Sequence, residues 1–221
     1  MIGGLKHRIG GNSKVGCVLG IDFKKIGQCH GQSFMSHDVY GHSCAIIGAV
    51  WNLDGRSFDG TDDSVEAPNN PSLNITGAIT ISVRVKLISS KVQNIAGKGE
   101  ADTYVPYKLT VFSDETIYFL QSEGGTTWHT PINPPDTLSL DIWHYLAATN
   151  DLKTARVYLN EAGIGIDTTP ATSLMTNSFP VDIGKAGTGT FFNGLISKVN
   201  ICSFADYAPR ILQRAIDARR N

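Results

Sequence analysis

The sequence predicts an all-β domain, a two-sheet antiparallel sandwich with one short C-terminal helix. Three observations carry this. Ile79, Ile81, Val83, Val85 and Leu87 alternate with Thr80, Ser82, Arg84 and Lys86, which puts one face of a strand in a core and the other toward water. Short apolar runs recur along the chain between clusters of Gly, Asn, Asp, Ser and Thr, as turn-rich β proteins require. A helical apolar stripe occurs at the end, on Ile211, Leu212, Ala215 and Ile216.

The elements follow in order. Residues 1–16 are Gly-rich and basic and read as a flexible arm, 17–205 as the sandwich, and 206–221 as a basic helix and tail. The run 17–23 is the first strand, 24–43 is polar and irregular, and 44–51 is rich in β formers. A turn at 52–55 leads into strands at 56–58 and 64–67, which flank the acidic turn Asp59-Gly60-Thr61-Asp62-Asp63. The corner Pro68-Asn69-Asn70-Pro71 ends that pair, because proline offers no N–H to a ladder. After the alternating strand come a short strand at 94–99 and a hairpin, 107–112 and 116–121, across Ser113-Asp114-Glu115. Residues 124–135 form a loop, 143–149 and 155–159 are strands, and 160–165 is a turn region. A short strand at 179–183 and the long run 192–204 close the series. Asp206 is placed to cap the helix, and Pro209 falls in its first turn, where a missing N–H costs little.

Composition bounds the function. The 221 residues carry a net charge of −1, unevenly placed. The two ends sum to +6 through Lys6, Arg8, Lys14, Arg210, Arg214, Arg219, Arg220 and their neighbours, and the body is acidic at −7. This pattern reads either as solvated ends on a mildly acidic domain or as ends that dock on an acidic partner, including other copies or subunits of an assembly. It does not suit nucleic acid, since aromatics are not interleaved with the basic residues. No apolar run is long enough for a membrane helix. Four cysteines, Cys17, Cys29, Cys44 and Cys202, are too few for a disulfide scaffold at this length and read as buried thiols.

Catalytic patterns are missing. Glycosidases on sandwich folds need two carboxylates a few ångströms apart, and an E-x-D-x-x-E strand that would supply them does not occur. Asp59, Asp62 and Asp63, with Asp38 from a neighbouring loop, offer the hard oxygen donors that calcium takes. His37 and His42 stand near Cys29, His30 and Cys44 without a full zinc pattern. For carbohydrate recognition, which needs exposed rings and planar polar groups, the candidates are Trp128 and His129, with Tyr104, Tyr107 and Glu123 before them.

Several phrases recur in a known order. They are Asp22-Phe23, then Asp38-Val39-Tyr40-Gly41-His42, then Gly48-Ala49-Val50-Trp51, then Ser57-Phe58-Asp59-Gly60-Thr61-Asp62-Asp63-Ser64-Val65. The corner at 68–82, the W-H phrase at 143–149, the strand and turn at 157–160, Ile183-Gly184 and Phe192-Asn193-Gly194-Leu195-Ile196 follow. In this order they resemble the concanavalin A-like lectin/glucanase superfamily in its laminin-G-like branch, over roughly residues 17–212. The resemblance implies a jelly-roll sandwich, makes Trp51 and Trp143 core residues, and puts Cys17 and Cys202 on adjacent strands, with their bonding left open. It also implies an acid at position 197 that helps hold a structural calcium, where this chain has Ser197 beside Lys198. The expected role is a non-catalytic, oligomeric adhesion module on a virion surface that binds a cell-surface glycan. The start of the chain lacks the apolar stretch of a secretion signal, which favours that setting. The alternative is an extracellular lectin module, and a glycoside hydrolase is a third reading.

Overall fold

The computed structural model describes residues 16–25, 31–100, 103–124, 136–187 and 189–220. Two antiparallel sheets face each other. The first runs β13 (Ala162–Asp167), β12 (Ala155–Leu159), β11 (Trp143–Asn150), β7 (Ile79–Leu87), β17 (Asn193–Cys202), β5 (Gly55–Asp59) and β4 (Val50–Asn52), with β1 (Cys17–Asp22) also paired to β17. The second runs β10 (Ile117–Gln121), β9 (Thr103–Val111), β8 (Gln93–Glu100), β14 (Val181–Ile183), β6 (Ser64–Ala67), β3 (Ser43–Ile47) and β2 (Ser33–Met35). A small ribbon pairs β15 (Lys185–Ala186) with β16 (Thr190–Phe191), and α1 (Ala208–Arg220) follows β17.

The core lies between the sheets. Ile79, Ile81, Val83, Val85 and Leu87 of β7 are buried there, opposite Val105, Tyr107, Leu109 and Val111 of β9 in the other layer. Alternation explains both sets, since every second side chain of a strand points inward. The polar side of β7 is not uniformly wet. Thr80 and Ser82 are buried because the chain after β17 crosses them: Thr80 Oγ1 donates to Phe204 O at 2.8 Å and accepts from Asp206 N at 2.8 Å. Ile211 and Ala215 of α1 then pack on Tyr145, Ala147 and Tyr158, on the outer face of the first sheet.

Several expectations change. Cys17 and Cys202 are bonded, because β1 and β17 pair with those two residues opposite each other. Cys44 is the buried free thiol expected, its proton pushed up to about 12 by burial. Asp206 does not cap α1. In the first turn the N–H groups of Arg210 and Ile211 donate to Tyr207 O, and the Asp206 carboxylate turns to Arg214 at 3.1 Å. The Gly-rich segment expected as a turn at 160–165 contains β13, an edge strand held by the β12 ladder across a bulge at Val157/Tyr158. β2 likewise lies in the stretch expected to be irregular. Trp51 is not core: it sits on the edge strand β4 at 37% exposure. Trp143 is only partly buried, and the Arg84 guanidinium lies 4.4 Å over its ring.

Candidate functional site

Of the candidate aromatics among the described residues, Tyr104 is the one presented to solvent, with 55% of its surface exposed. Its φ is +58°, a left-handed conformation that a bulky residue adopts only when its surroundings impose it. The surroundings are the irregular part of the β8–β9 ladder, where the register shifts between Lys98 and Glu100. Gly99, at φ +115°, lets the Tyr104 carbonyl come so close that a Cβ on Gly99 would stand 2.3 Å from it. From the other side, Asn177 Nδ2 donates to the same carbonyl at 2.7 Å.

The segment containing Asn177 also reaches Glu123. Thr172 donates its N–H and its hydroxyl to Glu123 Oε1, and Met175 N donates to Ser122 O at 2.9 Å. Residues 172–177 therefore stitch Tyr104 and Glu123 into one rim. Tyr107 does not belong to it. It is three residues from Tyr104, hence on the opposite face of β9, and is fully buried with its hydroxyl donating to Leu73 O at 2.8 Å. Trp128 and His129 lie outside the described residues.

The acidic turn brings Asp59, Asp62 and Asp63 together, with one carboxylate oxygen of each within 4.8 Å of the others. Asp63 is buried and accepts from Asp59 N at 2.9 Å. Burial above all, and then the charges of Asp59 and Asp62, push its carboxyl upward, while the Asp59 N–H pulls it down. The donor set fits a hard cation, supplying three of the roughly six to eight oxygens calcium takes. Lys91 Nζ donates to Gly60 O at 2.6 Å on the same turn, so that carbonyl already has a partner.

Asp38 is not part of this group. It accepts from the N–H groups of Gly20, Tyr40 and Gly41. Gly20 pairs with Asn200 and Asp59 with Asn193, so roughly 23 Å of strand separates the two acids. Ser197 is remote too, about 13 Å along β17 from Asn193. Its hydroxyl accepts from Arg84 at 3.4 Å, so the replaced acid faces a guanidinium rather than the acidic turn. His42 is structural: its Nε2 lies 2.9 Å from Val18 O and 3.2 Å from Ser72 Oγ.

Among the expected docking residues, Arg214 and Arg210 are taken up inside the chain, facing the buried Asp206 at 3.1 and 3.7 Å. The α1 face that carries Arg214 is thereby turned to its own sheet rather than to a partner. Lys6, Arg8 and Lys14 lie outside the described residues, and the side chains of Arg219 and Arg220 are not described.

The Laminin_G_3 family of the concanavalin A-like lectin/glucanases superfamily matches residues 59–209. The chain belongs to this family. No curated protein matches the chain. Among solved structures, the receptor-binding domain of a botulinum neurotoxin C/D mosaic serotype is similar at TM-score 0.71 and 12% identity, over 91% of this chain and 51% of that one. The botulinum neurotoxin type C structure whose description ties cell entry to interaction with two ganglioside molecules is similar at 0.69 and 11%, over 92% and 51%. Trypanosoma rangeli sialidase in complex with sialic acid is similar at 0.66 and 14%, over 93% and 33%. At such identities the likeness is one of fold. The laminin-G-like chain spans about half or a third of the proteins it resembles.

This laminin-G-like sandwich buries ionisable groups that sequence reasoning did not find. Asp182 on β14 stands opposite Glu66 on β6. Glu66 is ion-paired with Lys185, while Asp182 is only 6% exposed and its Oδ1 accepts no hydrogen bond. Burial pushes the Asp182 carboxyl up to about 7, helped by Glu66 and opposed by Lys185 and Lys98. Lys98 is fully buried, donating to Asn69 Oδ1 at 2.8 Å and to Phe179 O, and burial brings its ammonium down to about 8 against the pull of Asp182. A search along single strands cannot see this pair, because its members come from distant strands. The available signal was a lone Asp between Val181 and Ile183 in an apolar run.

These shifts set a pH dependence. The native state holds the Asp182 proton more tightly than the unfolded chain does, so this group's stabilisation falls as pH rises from about 4 to about 7. The native state holds the Lys98 proton less tightly, so stability recovers between about 8 and 10.5. Urea unfolding of wild type and Asp182→Asn across this range is expected to show a wild-type-minus-variant difference that declines from pH 4 to 7. A flat difference would mean that Asp182 titrates normally.

Proposed function

We propose that this domain is a non-catalytic glycan-binding module, with Tyr104 as the ring on which a sugar stacks. The observation that carries the reading is the exposed Tyr104 held in a left-handed conformation between Gly99 and Asn177. A large ring kept in water at a conformational cost is explained by use. Glu123 and the 172–177 segment provide planar polar groups beside it. Gangliosides and sialic acid in the descriptions of the similar structures make sialylated glycans the first class to try. Hydrolysis is disfavoured because Glu66 is engaged by Lys185 and Asp182 is enclosed.

As the setting of this function, we propose display on a virion or other exposed assembly through the basic arm 1–16, whose Lys6, Arg8 and Lys14 are part of the charge asymmetry. On a glycan array, wild type is expected to bind, and Tyr104→Ala to lose about tenfold in affinity without a change in melting temperature. A chain of residues 17–221 should keep binding and lose its association with the assembly. Binding to no glycan, or release of reducing ends from an oligosaccharide, would sink the reading.

We propose calcium for the Asp59, Asp62 and Asp63 turn, because three converging carboxylates repel one another until a cation neutralises them. Calcium at ten times its Kd is expected to raise the Tm by roughly 3–5 °C, corresponding to about 1.4 kcal/mol. Asp62→Asn, an exposed change, should remove that shift. A Tm indifferent to millimolar calcium would exclude the site.

A further inference from the structure

A second polar opening lies where α1 begins. It is a half-open cleft of about 380 Å³ against the outer face of the first sheet. Thr149, at the end of β11, and Tyr158 on β12 form its buried floor. Asp151 and Arg156 stand on one wall, their charged ends 3.7 Å apart and both well exposed. Tyr207, 64% exposed, stands at the other side. The Tyr158 phenol feels the charges of Arg156, Asp151 and Asp206 and meets the Thr149 hydroxyl, which shows that these groups converge on one space.

The chemistry of this space is specific. At 3.7 Å the guanidinium and Asp151 Oδ2 do not close a two-point ion pair, and Asp151 Oδ1 already accepts from Lys153 N at 2.9 Å and Thr154 N at 2.6 Å, so the guanidinium donors and Oδ2 are what remain to meet a third group. The two are planar and adjacent, a geometry suited to neighbouring hydroxyls on a ring. An exposed tyrosine face supplies the apolar surface that the C–H side of a sugar covers. The charges that line the cleft are partnered. Asp151 faces Arg156, and Asp206 faces Arg214 at 3.1 Å and Arg210 at 3.7 Å. Neither an anion nor a cation would find an unpartnered charge in the lining, so the fit is to a neutral polyol. The volume is at the low end of the range for small-molecule sites, about 300–1,000 Å³.

We infer that this cleft is a glycan subsite for an uncharged pyranose, with the ring on Tyr207 and adjacent hydroxyls shared by Asp151 and Arg156. The inference rests on the glycan-binding reading and deepens it with a second position. The two positions are linked. Asn150, next to Asp151, donates to Gln121 Oε1 and to Ala171 O, and Gln121 and Ala171 each lead directly into the rim segments that hold Glu123. Rim and cleft thus share one end of the sandwich.

The test is a titration of the full chain with methyl glucoside, methyl galactoside and methyl mannoside, followed by saturation-transfer NMR, alongside an array of neutral and sialylated glycans. At least one neutral pyranoside is expected to bind wild type. Tyr207→Ala and Arg156→Ala should weaken it about tenfold. Tyr207→Phe should preserve it. The exposed position of Tyr207 makes its substitution safe for folding, which a circular-dichroism melt would check. If neutral pyranosides bind both cleft variants as tightly as wild type, the cleft is not their site. If only sialylated glycans bind, and Tyr104→Ala abolishes that, the subsite falls while the module reading stands. If no glycan binds, both fall.

Discussion

Strand β17 is hydrogen-bonded on both sides, and the order of the first sheet follows from that. β7 runs along one side of it, and β5 and then β1 share the other. Two glycines admit these neighbours. A Cβ on Gly194 would stand 2.1 Å from Lys86 O, and one on Gly55 would stand 2.4 Å from Ile196 O. The ladder joins strands from the beginning, the middle and the end of the chain, so its closure demands long-range pairing before it stabilises anything. The segment after it then covers Thr80 and delivers α1 to the outer face, where the helix start and the ends of β11 and β12 frame the cleft.

The fold was largely legible because its signals are local. The alternation of β7 and the hairpin of β9 and β10 can be read from adjacent residues, and the acidic turn from its own five. What escaped depends on neighbours far away in sequence. β13 is Gly-rich and takes its extended form from the β12 ladder rather than from propensity. Asp206 has the right type and place for a cap, and the guanidinium of Arg214, two turns along α1, outweighs that role. The Asp182 and Glu66 pair exists only after β14 and β6 have met.

The candidate site was half legible. Tyr104 and Glu123 are each hydrogen-bonded by one segment, 172–177, that carried no recognisable sign. Tyr107 could have been excluded from sequence, since Val105, Tyr107, Leu109 and Val111 alternate on the core face. Two arginines of α1 had a nearer partner than sequence suggested. The charge of Arg210 and Arg214 pointed to a partner outside the chain, and both face an aspartate a few residues away that sequence reasoning had given to a different task.

The bond between Cys17 and Cys202 spans 185 positions, almost the whole domain. It turns the intervening chain into a covalent ring. A protease that cuts any one loop within that ring opens it without releasing a fragment, and the two pieces stay joined at the β1 and β17 pair. The noncovalent ladder and the sulfur bridge then hold the nicked halves in register. For a domain that presents polar loops at one end to its surroundings, the cost of a single cleavage is a broken loop rather than a lost domain.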